Sequence, residues 1–208
     1  MVEGMGNTFE AILFDFDGVL VDSEPLHYEC WCETIAPHGL TLSWEEYAAN
    51  CIGVSDKGMI QALCEVSGRP EQFGAVWADY ALKKALFRRR AVEKVPMPEA
   101  TRELLASLDG YRLAVVSSSG RTEIEPILEA AGVADRFETL VTGDEVRELK
   151  PSPEPYLTAA ARLGVSRALV VEDSAAGIAS GRAAGFEVLE VGRAEELAGL
   201  LRRRLAAQ

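Results

Sequence analysis
The chain has 208 residues, and 33 acidic against 21 basic side chains give it a formal charge of −12. With 48% hydrophobic and 26% charged residues, it has the composition of a globular protein with one domain, or one core and a smaller second unit. So acidic a chain argues against bulk nucleic-acid binding and against docking on an anionic membrane, so an anionic substrate would need a local positive spot.

Residues Met1 to Glu10 show no basic stretch followed by an apolar run, which predicts no secretory leader and a cytoplasmic location. The run Ala11-Ile-Leu-Phe-Asp-Phe16 predicts a buried strand ending in carboxylates. From about Ser23 to Val92 strand signals vanish and helical periodicity takes over. Helices are predicted over residues 25–37, from near Ser43, from near Ser55 and over 71–90, with Ser43 and Ser55 as N-caps. The basic residues Lys83, Lys84 and Arg88 to Arg90 read as a solvated helix end that suits the helix dipole, and Arg202 to Arg204 read the same way. Cys30, Cys32, Cys51 and Cys64 all fall in the first third of the chain. No second Cys or His pair completes a zinc site with Cys30-x-Cys32, so these cysteines are expected to be reduced and structural.

After Pro96 and Pro98 a short helix is predicted over 99–108, and strands and helices then alternate. Strands are expected over 112–116, 139–142, 168–171 and 187–191; helices over 122–131, 153–163, 175–184 and 194–205. Gly132, Gly164 and Gly185 stand where helices should stop, and Ser152-Pro153 reads as a helix start. Such alternation predicts an α/β fold, a Rossmann-like parallel sheet with helices on both faces. The helical stretch of about 70 residues is too long for a loop. It is expected to be an inserted α-helical cap domain over residues 23–92, with 1–22 and 93–208 forming the core.

Ligands of an open parallel sheet bind at the carboxyl ends of its strands. Here those ends carry Asp15 and Asp17, then Ser117-Ser-Ser-Gly120, then Lys150, then Glu172-Asp173. Clustered carboxylates repel one another unless a cation shares the site, and oxygen ligands suit a hard ion such as Mg²⁺. That ion and Lys150 would form the local positive spot, with backbone N–H groups of the Ser117 to Gly120 turn as further anion donors. A calcium loop starting at Asp15 fails, because Gly18 falls at loop position four, Val19 at five and Leu26 at twelve.

The segment Asp15-Phe-Asp17-Gly-Val-Leu-Val-Asp22-Ser23 resembles the first motif of the haloacid dehalogenase-like (HAD) superfamily. Ser117 resembles its second motif, Lys150-Pro-Ser-Pro its third and Glu172-Asp173-Ser-Ala-Ala-Gly177 its fourth, along nearly the whole chain. The nearest likeness is to the β-phosphoglucomutase and phosphoglycolate-phosphatase branch with a small α-helical cap. The resemblance implies that Asp15 is a nucleophile forming an aspartyl-phosphate and that Asp17 is the acid and base. It implies Mg²⁺ held by Asp15, the Asp17 carbonyl and Asp173, with Glu172 placing a bound water. Ser117 and Lys150 would then hold phosphoryl oxygens. Family dehalogenases lack the second aspartate, which disfavours dehalogenation here.

The expected activity is therefore Mg²⁺-dependent phosphatase action on a small, sugar phosphate-like metabolite, and a monomer is expected because caps of this kind act within one chain. Substrate contacts are expected from Ser118 and Ser119 and from cap residues His27, Trp31, Gly53 and Lys57; His27 and Trp31 share a helix face. By the same resemblance a β-phosphoglucomutase would carry Arg where this chain has Asp56 and Lys where it has Gly120, with Arg121 or Lys57 as possible substitutes. The mutase is thus the second reading. A receiver-like phospho-acceptor module, which needs no inserted domain, is the third.

Overall fold
The computed structural model describes residues 8–52 and 54–207. Strand β1, Ala11–Phe14, is buried at every position, as an unbroken apolar run must be when both faces of a parallel sheet are covered. It pairs with β2, Arg112–Val116, on one side and β4, Ala168–Glu172, on the other. Beyond these lie β3, Thr139–Val141, and β5, Glu187–Glu190, so the order is β3-β2-β1-β4-β5 with every pair parallel. The strand expected to continue to Phe16 stops at Phe14, which puts Asp15 and Phe16 just past its carboxyl end.

The chain divides into two units, one of residues 23–94 and one of residues 22 and below with 95 and above. In the first are α1, Glu24–Ile35; α2, Trp44–Asn50; α3, Asp56–Val66; α4, Phe73–Ala78; and α5, Tyr80–Glu93. Ser43 caps α2 in a reciprocal capping box with Glu46, and the Ser55 hydroxyl accepts from the Gly58 N–H at the start of α3. Trp31, Ile35, Tyr47, Ile60, Cys64 and Val76 pack as the core of this unit. The four cysteines are free; Cys30 and Cys64 are buried.

Two expectations fail in this unit. The helix predicted over 71–90 is broken into a 3₁₀ turn, α4 and α5. Asp79 sits at the break with φ −86° and ψ 3°, its carboxylate 2.8 Å from His38 Nε2, and the flanking Trp77 and Tyr80 rings stack at 4.5 Å. Tertiary contacts outweigh the helical pattern there. Lys83 is not part of a solvated helix end: it is 2% exposed, with Nζ 2.8 Å from His27 Nδ1 and 3.5 Å from Asp56 Oδ2.

The other unit contains the sheet with α6, Glu99–Ala106; α7, Arg121–Ala131; α8, Glu154–Leu163; α9, Ala175–Ala183; and α10, Leu197–Ala206. Leu13, Val116, Val141, Tyr156, Ala159, Leu163 and Val170 join the sheet to α8 in one apolar cluster. Helix α8 begins one residue later than expected, at Glu154, whose N–H reaches the Ser152 hydroxyl at 3.3 Å. The helix expected over 194–205 opens as a 3₁₀ turn, Ala194–Glu196, before α10. No helix of the described residues is long and apolar enough to cross a membrane.

Candidate active site
The chain runs from β1 to β2 and β3 on one side, then crosses to β4 and β5 on the other. The strand order therefore reverses between β1 and β4, where a parallel sheet opens a crevice at its carboxyl edge. Asp15 and Asp17 follow β1 at this point, and Glu172 and Asp173 end β4. Asp15 is tied to the neighbouring strand by its N–H, which donates to the Val171 carbonyl at 2.9 Å.

Gly18 brings the two loops together. Its φ of +78° suits glycine, and a Cβ there would collide with the Asp173 carboxylate. Gly177 does the same for Glu172: a side chain at the start of α9 would overlap the Glu172 carboxylate. One carboxylate oxygen each from Asp15, Glu172 and Asp173 lies within 4.8 Å of the others.

Lys150 closes the cluster. Its ammonium donates to Asp15 Oδ1 at 2.5 Å, Glu172 Oε1 at 2.6 Å and the Val116 carbonyl at 2.9 Å, so each of its three protons has an acceptor. Glu172 is fully buried and accepts five hydrogen bonds. Oε1 takes Lys150 and the Tyr156 hydroxyl, and Oε2 takes the N–H groups of Asp173 and Ser174 and the Ser174 hydroxyl, each at 3.0 Å. The Ser174 hydroxyl also caps α9 by accepting from the Gly177 N–H. On the β2 side, the buried Ser117 hydroxyl accepts from the Ser119 N–H at 3.0 Å, and the Ser119 hydroxyl donates to Asp17 Oδ2 at 3.1 Å. Ser118 is exposed beside them.

Burial pushes Asp15 well above the usual carboxylate range; Lys150 pulls it back, and Glu172 and Asp17 add to the rise. Burial, then Glu172, pushes Asp173 up to about 6. For Lys150, burial acts downward, but Asp15 and Glu172 more than offset it and raise its pKa. Three clustered acids facing one ammonium are short of positive charge. Oxygen donors from Asp15 and Asp173, with Gly18 leaving room for the latter, fit a hard divalent cation.

Of the helical-unit residues singled out from sequence, His27 stacks on Phe87 at 3.9 Å between ring centroids, besides accepting from Lys83. Trp31 has no exposed surface; its indole N–H donates to Asp56 Oδ1 at 3.0 Å. Lys57 is exposed. Gly53 lies outside the described residues. Sequence reasoning missed Tyr156 and Ser174 as parts of the acidic cluster and Lys83 as a buried cation. For Tyr156 there was a signal: it lies on the apolar face of α8 with Ala159, Ala160 and Leu163, and a buried tyrosine must find a partner for its hydroxyl.

A parallel sheet thus brings paired carboxylates, a serine turn and a buried lysine to one switch point, which marks the chain as an α/β protein with a candidate site at that edge. The family model for haloacid dehalogenase-like hydrolases matches residues 12–191, and the chain belongs to that family. It is 34% identical to protein CbbY of Rhodobacter capsulatus, over 86% of this chain and 84% of that one. It is 31% identical to the phosphorylated carbohydrates phosphatase of Thermotoga maritima, over 86% and 82%. Among solved structures, CbbY of Rhodobacter sphaeroides in complex with phosphate superposes with a TM-score of 0.68 at 28% identity, covering 86% of this chain and 84% of that one. The protein is thus an enzyme of the haloacid dehalogenase-like hydrolase family.

Proposed function
We propose that this hydrolase removes phosphate from a small phosphorylated metabolite, sugar phosphate-like in class, through an aspartyl-phosphate on Asp15. The observation that carries the proposal is the Lys150 ammonium held between Asp15 and Glu172, beside Asp173 and the Asp17–Ser119 pair. The names and the phosphate-bound structure among the similar proteins support it.

In this reading a carboxylate oxygen of Asp15 attacks phosphorus as the ester P–O bond breaks, and Asp17 gives its proton to the departing alkoxide. Asp17 then takes a proton from the attacking water, and phosphate leaves with the Asp15 carboxylate restored. The Ser119 hydroxyl orients Asp17 for both transfers. Lys150 balances the charge that gathers on the phosphoryl oxygens, and the Ser117 turn adds donors. Asp15 and Asp173 would hold the Mg²⁺, which supplies the charge that lets both acids ionise and draws electron density from the phosphoryl group. Glu172 keeps Lys150 in place.

His27, Lys57 and Gly53, with Ser118, remain the proposed determinants of leaving-group choice; Trp31, expected among them, is instead a core residue with no exposed surface and its indole N–H already bound. A mutase would need a second phosphate site, and of the two substitute cations only the exposed Lys57 is left for it. Asp56 points its charge at Lys83 and Trp31, and Arg121 is engaged by the Leu140 carbonyl, Glu145 and Glu125.

Phosphate release from p-nitrophenyl phosphate and about a hundred phosphorylated metabolites, with and without Mg²⁺, tests this. Mg²⁺-dependent turnover by the wild type and none by Asp15→Asn is expected. No turnover on any ester, or full activity of Asp15→Asn, refutes it. Isomer formation from β-glucose 1-phosphate and a bisphosphate primer without net release would favour the mutase.

A further inference from the structure
Lys150 is held by three acceptors, and a fourth group, Tyr156, lies against it. Tyr156 is fully buried on α8. Its hydroxyl donates to Glu172 Oε1 at 2.9 Å, the same oxygen that accepts from Lys150 at 2.6 Å. Its ring lies under the Lys150 ammonium, 5.0 Å from centroid to Nζ. One side chain thus touches both members of the ion pair, the cation by its face and the anion by its edge group. We propose that Tyr156 is a positioning residue of the hydrolytic site, which divides the Lys150 ammonium between Glu172 and the nucleophile Asp15.

Donor counts at Glu172 set the direction of the effect. Glu172 Oε2 is saturated by three donors, so it cannot turn to relieve Oε1. Oε1 has two, and the tyrosine is one of them. Without that hydroxyl, Oε1 has Lys150 as its sole donor here, and the ammonium is drawn toward Glu172 and away from Asp15 Oδ1. The ring resists the same displacement, because an ammonium over an aromatic face is attracted by the ring quadrupole, and more so where water is excluded. The apolar neighbours Ala159 and Leu163 hold the ring in place. The hydroxyl acts on Glu172 and the face on Lys150, so the two halves of the side chain are separable by mutation. Tyr156 touches no reacting atom; it acts through Lys150.

This inference rests on the phosphatase reading, and the experiment separates the two. Wild type, Tyr156→Phe and Tyr156→Leu are compared in kcat and KM, in the affinity for inorganic phosphate in the presence of Mg²⁺ measured by calorimetry, and in thermal midpoint. Tyr156→Phe is expected to lower kcat about 10-fold with KM within twofold, and to weaken phosphate binding about 5-fold, while its midpoint stays within a few degrees. Tyr156→Leu, which also removes the ring face, is expected to lose about a further 10-fold in kcat. Tyr156→Phe with wild-type kcat and wild-type phosphate affinity overturns the proposal, whether or not its midpoint falls, because a merely structural tyrosine moves only the midpoint. If the wild type turns over no ester, the phosphatase reading fails while the calorimetric comparison still decides the role of Tyr156. A wild type that binds neither Mg²⁺ nor phosphate overturns both.

Discussion
Lys150 and Asp15 are 135 residues apart in the chain and 2.5 Å apart in the fold, with Lys150 also 2.6 Å from Glu172. One ammonium therefore balances two buried carboxylates, and removing it strands both. For Lys150→Met we expect a loss of about 3–5 kcal/mol in stability at pH 7, the usual consequence of leaving buried charge without its partner. Part of that loss should return at pH 5, because lowering the pH favours the protonated form of Asp15 that burial already favours. Turnover should fall about 10²–10³-fold, as when a preorganised donor to a developing anion is deleted. Urea unfolding at the two pH values and phosphate release check the two halves.

Gly18 offers a test that separates backbone strain from site geometry. An alanine in the left-handed region costs about 1–2 kcal/mol. At Gly18 its Cβ would also displace the Asp173 carboxylate, whereas at Gly132, with φ of +71°, a Cβ meets nothing within 4 Å. Gly18→Ala and Gly132→Ala should lose similar stability. Gly18→Ala alone should lose Mg²⁺ affinity, about 10-fold or more by calorimetry. Equal Mg²⁺ affinities would show that the Gly18–Asp173 approach has no part in metal binding.

The acid cluster sets a pH dependence of definite sign. Asp15 and Asp173 bind protons more tightly folded than unfolded, Asp173 at about 6 against an ordinary 3.8. Without metal, the stability they contribute is full below pH 3.8 and is lost as pH rises, through about 6 for Asp173, with Asp15 acting in the same direction. Protons and Mg²⁺ compete for the same oxygens. The rise in thermal midpoint on adding Mg²⁺ should therefore be larger at pH 7.5 than at pH 5.5, and Asp173→Asn should flatten the metal-free profile. A Mg²⁺ shift of the same size at both pH values would contradict this.

In the helical unit, Asp56 accepts from the Trp31 indole and faces the Lys83 ammonium. Trp31→Phe keeps the buried ring and removes one hydrogen bond to a half-buried carboxylate, for an expected cost of about 1–2 kcal/mol. Lys83→Met keeps the stem but leaves both His27 and Asp56 without the ammonium, and should cost about 2–3 kcal/mol. Chemical denaturation of the full-length variants measures both. A Lys83→Met protein as stable as the wild type would show that the buried ammonium contributes nothing net.

Much of the fold was legible because its signals are local. The four-residue apolar run of β1, the i, i+3, i+4, i+7 pattern of Ile124, Ile127, Leu128 and Ala131, the serine caps at 43 and 55 and the left-handed glycines at 132, 164 and 185 all act within a turn or two of chain. The acidic residues at strand ends could be grouped because a parallel sheet has one carboxyl edge. Errors arose where a distant partner overrode the local pattern. Asp79 interrupts a helix to meet His38, and Lys83, in a basic run that reads as solvated, is covered by His27, Trp31 and Phe87.

The chain by itself thus determined which segments become strands and helices and which polar residues reach the sheet's rim, because periodicity and capping are short-range. Only the tertiary structure decided that β4 lies beside β1, that Glu172 takes five donors, and that Tyr156 completes the setting of Lys150. Those contacts join residues far apart in sequence, and no local preference encodes which buried donor meets which acceptor. The net charge of −12 took its meaning the same way: it says little about anion binding until one lysine is seen enclosed by the acids that hold it.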